Sequence, residues 1–501
     1  MNATLNQRPT PWRARAARFA APLTALLAAL VLAGCATPPP IELNLETPAR
    51  YKEDVKPTGD RANAPDAEAA PADGRWWTVF RDPRLEALVA RAAERNTDVQ
   101  QAAARLAQAR ALAREVDADR APQVGLGAAA VRGAGVDKAQ GRQPASLFTA
   151  GLGASWELDL FGRLAGASQA AALDARSREA LLQGTRLAVQ SETAQLYLAV
   201  RALDDESRIM ADTVEAYRDT LDLTERRQRA GDLGELDVER VRTELAATES
   251  DALAVQRQRA QVEHALAVVL GELPTAFALE RDAWSTALPA IPAGLPSDML
   301  ARRPDIGAAQ WRVEAAQARV GVAQSAWFPS IALTADGGYA STDLGDLLKW
   351  SARSWGVGAL LSLPLLDGGR REAGVQSAQA EFDGAMADYR AQVLSAFKEV
   401  EDQLSSLRLL AQQSTVQARA VDSARRATRL SDVRYRNGAI SQIDLLDARR
   451  SELRNSRQAL LIKAQQYQAT VALVRALGGG WSDAQAQAKG PLPTAAVARA
   501  F

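Results

Sequence analysis

A chain of 501 residues with 60 Lys+Arg against 60 Asp+Glu, 5% aromatics, one cysteine and one histidine leaves few chemistries open. Its charge balance gives no global pull toward nucleic acid, and a single Cys and a single His argue against disulfide frameworks and His/Cys metal clusters. The abundance of Ala, Leu, Gln, Arg and Glu is that of long paired helices rather than of several compact domains.

In chain order, the N-terminus carries Arg8, Arg13, Arg15 and Arg18 with no acid, then an apolar run from Phe19 to Leu32, then Leu32-Ala33-Gly34-Cys35. Residues 1–34 read as a signal peptide with small residues before the cut. Its end resembles the bacterial lipobox, which implies a covalent lipid on Cys35; a plain signal with an incidental cysteine is the other reading. Losing four arginines leaves the mature chain mildly acidic. Ala36 follows the cysteine where an aspartate does not, and among lipoproteins this implies sorting to the outer membrane.

Residues 35–75 begin with Pro38-Pro39-Pro40 and are rich in Pro, Ala and Asp. Such a stretch buries no core and reads as a tether. The cluster Trp76-Trp77-Thr78-Val79-Phe80 is expected to anchor it, and one helix is expected from Leu85 to about Asp119, closed by Pro122. Past Pro122 the period changes to two. Val124, Leu126, Ala128 and Ala130 alternate with glycine and polar residues, and in the clearest strand Phe148, Ala150, Leu152, Ala154, Trp156, Leu158 and Leu160 oppose Thr149, Gly151, Gly153, Ser155, Glu157 and Asp159. An apolar face opposite a Gly/Ser/acid face suits a membrane strand beside a watery lumen, although a half-buried soluble strand alternates too.

From Arg163 to Gly231 no proline interrupts the chain. Val189, Thr193, Leu196, Val200, Leu203, Ser207, Met210, Val214, Tyr217, Leu221 and Thr224 recur at alternating steps of four and three, the seam of a helix packed along a partner. Such a helix is on the order of 100 Å long. A shorter helix runs from Glu235 to Leu270, and Pro274, Pro289, Pro292 and Pro296 mark a linker over 272–296.

The second half then repeats the first with an offset of 207 residues. Asn96-Thr97-Asp98-Val99 matches Arg303-Pro304-Asp305-Ile306, Pro122 matches Pro329, Arg163 matches Arg370, Gly231 and Asp237 match Gly438 and Asp444, and Leu270-Gly271 matches Leu477-Gly478. The strands recur as Ile331, Leu333, Ala335, Tyr339 and as Trp355, Val357, Ala359, Leu361, Leu363, Leu365; the long seam recurs in smaller residues through Val400, Leu407, Leu410, Val421, Ala424 and Thr428. Residues 76–271 and 297–480 are therefore two copies of one unit: helix, two strands, long helix, short helix. Residues 481–501 are a tail.

Four strands per chain cannot close a barrel, and open sheet edges in lipid leave N–H and C=O groups unpaired. Two chains give about eight strands and a plugged interior; three give about twelve and a lumen. The fold class expected is a mixed α and β membrane protein, a homotrimer whose twelve-stranded β-barrel is continued by a long α-helical barrel. Trp156, Trp327, Phe328, Trp350 and Trp355 fit an aromatic girdle or simple packing.

Trp76-Trp77-x-x-Phe80-x-Asp82-Pro83, the helix starts at Asp98 and Asp305, Phe328-Pro329-x-Ile331, Pro364-Leu365-x-x-Gly368 and Arg434-Tyr435-Arg436-Asn437-Gly438 followed by Asp444-Leu445-Leu446-Asp447-Ala448-Arg449-Arg450 resemble the outer-membrane factors of tripartite efflux pumps, the TolC/OprM/NodT-like lipoprotein branch. The resemblance implies a trimeric duct from periplasm to exterior, anchored in outer-membrane lipid and docked through a periplasmic adaptor onto an inner-membrane efflux transporter, with no catalysis and no nucleic acid. It places the periplasmic mouth at the two helical turns and its acidic constriction at Asp444 and Asp447, with Tyr435 holding the mouth shut; Arg450, three residues past Asp447, is spaced to supply compensating charge. Ile440 stands where some relatives carry a basic latch. Each site has a plainer alternative: Asp444 as a helix-start acid, Asp447 and Arg450 as an exposed pair, the glycines as helix caps. Gly231, Asp232, Leu233, Gly438, Ala439 and Ile440 are candidates for adaptor contact. His264 has no partner ligand and reads as structural. No cofactor beyond the Cys35 lipid and no metal is expected. Two other duties stay open, a duct for type I protein secretion and a non-channel coiled-coil scaffold lipoprotein.

Overall fold

The computed structural model describes residues 48–53, 74–134, 144–292, 294 and 296–479. The leader 1–34, Cys35, most of the tether and the tail 481–501 lie outside the described residues. The elements are α1 (Pro83–Arg95), α2 (Thr97–Ala118), β1 (Gln123–Ala134), β2 (Pro144–Leu158), α3 (Arg163–Arg229), α4 (Glu235–Val269), α5 (Pro296–Arg302), α6 (Pro304–Ser325), β3 (Ser330–Ser341), β4 (Arg353–Ser362), α7 (Arg370–Arg436) and α8 (Gln442–Ala476). Both long helices have 67 residues, and α4 and α8 have 35 each. The chain divides into a unit of residues 113–171 with 314–382 and a unit of the remaining described residues.

The first unit carries one antiparallel sheet of order β1-β2-β3-β4. Its register pairs Gly125 with Gly153, Gly153 with Asp336 and Asp336 with Gly356, so these four residues form one row across the sheet. Side chains alternate across a pleat. One face therefore carries Val124, Leu126, Leu152, Trp156, Leu333, Val357 and Leu361, the other Gly125, Gly127, Gly153, Thr149, Asp336, Gly356 and Gly358. The apolar face is exposed in the single chain, 82% at Leu126 and 77% at Val357. Two strand ends differ from the expected ones. Asp159 turns its carboxylate onto the Leu164 and Ala165 N–H groups, starting α3 and leaving Leu160 off β2. β4 stops at Ser362, because Pro364 has no N–H to donate, so Leu363 and Leu365 lie beyond it. All five aromatics are exposed in the single chain, Trp350 and Trp355 most of all, and four of them also make a local contact: the Trp156 indole donates to the Arg120 carbonyl at 3.0 Å, Phe328 stacks on Phe161 at 4.7 Å, Arg371 covers Trp327 and Arg353 covers Trp350.

In the second unit one core cluster joins both repeats, with Trp76, Phe80, Leu85, Val189, Leu198, Leu266, Trp284, Tyr467 and Val471, and smaller clusters around Met210 and Tyr217 lie apart from it. The seam residues Val189, Thr193, Val200, Met210, Tyr217 and Thr224 are buried, as their spacing requires. The single helix expected over Leu85–Asp119 is instead two. Asn96 breaks it: buried and extended, it accepts from the Asp98 N–H at 2.8 Å and donates to the Val269 carbonyl at 2.8 Å. Asparagine is among the strongest N-caps, and that preference outweighs helical continuity here. At the matching position Arg303 separates α5 from α6, and its guanidinium donates to the Ala476 carbonyl at 3.0 Å and to Asp305 through two nitrogens. Gly271 and Gly478, each at positive φ, let these junctions close, since a Cβ at Gly478 would stand 3.0 Å from the Arg302 carbonyl carbon.

The linker is strapped to the helices by buried charge. Asp204 accepts from Arg201 at 3.0 Å and from Arg259 at 2.8 Å, and the two guanidiniums donate onward to the Glu280 and Leu279 carbonyls. Trp284 packs on Tyr467 at 4.5 Å under Lys463. The tether is also less free than its composition suggests. Tyr51 is buried beside Phe397, the Lys52 and Glu53 N–H groups donate to the Glu401 carboxylate, and Glu53 pairs with Arg408 at 2.7 Å.

Candidate gate and docking site at the helical turns

Both turns between long and short helices are built alike. Gly231 and Gly438 take positive φ, their N–H groups donate to Gln228 and Tyr435, and the next residues, Asp232 and Ala439, donate back to Arg227 and Arg434. This is the paired-bond cap that ends a helix on a left-handed glycine. Gly231, Asp232, Gly438 and Ala439 are exposed, whereas Leu233 and Ile440, at matching positions, are half-buried.

Asp444 is the third residue of α8 and forms a reciprocal capping box: the Ser441 Oγ accepts from its N–H, and its own carboxylate accepts from the Ser441 N–H at 3.1 Å and hydroxyl at 2.6 Å. The helix-start reading of Asp444 therefore holds in the single chain. Asp447, three residues on, is exposed, its side chain 66% accessible, and pairs with Arg450 at 3.2 Å. Arg450 also reaches the first repeat, donating through Nε to Glu244 at 2.9 Å and through a second nitrogen to its other oxygen. The Glu244 hydrogen bond raises the Arg450 pKa and so holds its charge.

Tyr435 is buried. Its hydroxyl lies 3.1 Å from Thr224 Oγ1, which also accepts from the Gln442 amide at 3.4 Å, and Arg227 covers its ring at 5.0 Å while donating to the Arg436 carbonyl. About two turns farther along the helices, Arg449 donates to Asp432 at 3.1 Å and to the Ala216 carbonyl, over the ring of Tyr217. Burial, aided by Glu244, pushes the Tyr217 hydroxyl up to about 12, so it stays a neutral phenol. The hairpin α7–α8 is thus latched to α3–α4 at three levels within one chain: Tyr435 to Thr224, Arg449 to Ala216, Arg450 to Glu244. Sequence brought Tyr435, Asp444, Asp447 and Arg450 into view. Ser441 was not singled out, although a serine three before an acid is the mark of a capping box. Gln442 and Glu244 carried no signal and Thr224 stood only as a seam position, because each meets its partner across about two hundred residues of chain. Cys35 lies outside the described residues. Among the described residues no group of His, Cys, Asp and Glu is placed to hold a metal ion, and no helix is long and apolar enough to cross a membrane.

A sheet with one apolar exposed face, two matched helical hairpins and a duplicated chain define a class, that of outer-membrane channel proteins. The family model for outer membrane efflux protein matches residues 88–272 and again 295–479, the second match displaced like every other paired feature, and the chain belongs to that family. It is similar to the pyoverdine export outer membrane protein OpmQ of Pseudomonas putida, 32% identical over 90% of this chain and 96% of the relative. It is similar to the cation efflux system protein CusC of Escherichia coli as well, 33% identical over 81% of this chain and 88% of the relative. Among solved structures, the outer-membrane channel OprN superposes with a TM-score of 0.82 at 30% identity, over 89% of this chain and all of that one. The chain is an outer-membrane channel component of an efflux system.

Proposed function

We propose that three copies of the chain close a twelve-stranded barrel and a helical conduit through which small molecules leave the cell, each copy held in the outer membrane by lipid on Cys35. The turns at Gly231 and Gly438 receive a periplasmic adaptor coupled to an inner-membrane transporter. In this reading Asp444 and Asp447, repeated by threefold symmetry, ring the inner mouth and draw cations toward it, with the Tyr435–Thr224, Arg449–Ala216 and Arg450–Glu244 contacts holding the mouth narrow.

The sheet carries this reading. It ends in β1 and β4, each with its outer edge unpaired among the described residues, and exposes an apolar face, and in lipid unpaired backbone groups cost several kcal/mol each. The edges of one copy are the complement of the edges of the next. The test is the mass of the detergent-purified particle together with conductance in a planar bilayer. A trimer that conducts is expected; a monomeric particle, or a trimer without conductance from which residues 123–160 can be deleted at no loss of export, would leave only a scaffold.

A further inference from the structure

The mouth is not the only place where charge faces the proposed conduit. On the glycine-rich face of the sheet the described strand residues hold two acids, Glu157 and Asp336, and no base. Glu157 is answered by Arg163 at 2.7 Å. Asp336 has no hydrogen-bond or ion-pair partner among the described residues and is exposed. Its neighbours in the cross-strand row are Gly153 on one side and Gly356 on the other, with Gly125 beyond.

Those glycines decide what the carboxylate can do. A Cβ at Gly356 would stand 2.9 Å from Asp336 Oδ1, so the carboxylate lies over that glycine in space that any other residue would occupy. At Gly153 and Gly125 a Cβ would meet nothing within 4 Å, so the rest of the row is open. The open face forms a concavity of about 600 Å³ lined by Gly125, Gly127, Thr149, Gly153, Asp336 and Ser354. One unpaired negative charge thus stands in a band of backbone, with no long side chain to screen it or to bridge to it.

We propose that Asp336 is a second selectivity determinant, set in the barrel wall and separate from the mouth, favouring cations and cationic solutes over anions. This rests on the three-copy barrel proposed above, in which threefold symmetry turns Asp336 into a ring of carboxylates, the arrangement by which pores favour cations. The glycine on either side keeps the ring unscreened, and Gly356 gives the carboxylate room to lie along the wall.

The measurement is the reversal potential of the reconstituted channel in a potassium chloride gradient near 0.1 M, where charges act over about 10 Å, repeated near 1 M, where they act over about 3 Å. Asp336→Asn is expected to lower the cation-to-anion permeability ratio at least about twofold at the lower salt and to change little at the higher, and Asp336→Lys is expected to lower it further. Gly356→Val, which leaves the charge but displaces it, is expected to fall between parent and Asp336→Asn. Reversal potentials equal to the parent's for both Asp336→Asn and Asp336→Lys, in particles that remain trimeric and conduct, overturn the assignment. Failure of the barrel reading itself shows differently, as an unaltered protein that is not a trimer or does not conduct.

Discussion

At the proposed inner mouth one carboxylate would have two tasks. Asp444 closes a capping box with Ser441, and in the proposed ring it also faces its own copies. An alanine there removes a charge and the acidic half of the capping box together. Asparagine separates them, because an amide oxygen still accepts from the Ser441 N–H. We expect Asp444→Asn with Asp447→Asn to melt close to the parent yet show a lower cation preference in single-channel recordings; unchanged preference and conductance would mean that the constriction lies elsewhere. Tyr435→Phe removes only the hydroxyl at 3.1 Å from Thr224. The ring stays buried, so the expected effect is a larger open probability with a fold undisturbed by circular dichroism.

Between residue and molecule, the two junctions that interrupt the short helices solve one problem with different side chains. Asn96 bonds the Val269 carbonyl and Arg303 the matching Ala476 carbonyl, but only Arg303 brings a charge that needs an answer. Burial pushes the Asp305 carboxyl up, yet the hydrogen bonds and charge of Arg303 outweigh it and hold Asp305 below the ordinary aspartate value. A carboxyl depressed on folding contributes stability that is whole above its unfolded pKa, about 4, and is lost as pH falls through the lower folded value. The melting deficit of Asp305→Asn relative to the parent is therefore expected to be largest near neutrality and to shrink below about pH 4; a deficit constant with pH would show that the ion pair contributes nothing. Asn96→Ala should cost about 1–2 kcal/mol, without that dependence.

These elements also show what a sequence can reveal. The long helices were legible because the steps of four and three persist from Val189 to Thr224 and recur in the second half with no proline in either stretch, and the sheet because its alternation occurs at matched places in both halves. The break at Asn96 was legible only in the family motif that starts a helix at Asp98, not in the helical periodicity over 85–119, and its partner Val269 is 173 residues away. The docking of residues 48–53, where a polar stretch is captured by Glu401 some 350 positions later, was not legible. Glu401→Ala is expected to expose Tyr51, read as new proteolytic cleavage near Lys52 with the rest of the chain resistant; cleavage equal to the parent's would count against that anchor.

At the scale of the whole chain, duplication has left two halves with the same skeleton and different duties. Asp444 has a counterpart in Asp237, but Asp447 faces Arg240 and Arg450 faces Thr243 across the repeat, so the acid pair and its arginine belong to the second turn alone. The sheet order β1-β2-β3-β4 assigns one outer strand to each half. Joining copies therefore sets the tail strand of one against the lead strand of the next, a head-to-tail arrangement that either completes a circle or leaves a gap. No subset of subunits is self-sufficient in such a ring, and one subunit with a spoiled seam disables its two sound neighbours. In a cell making equal amounts of intact protein and a seam-defective version, only about one assembly in eight escapes the defect. Co-expressing a β4-disrupted chain should accordingly suppress export far below half, the genetic signature of a poison subunit.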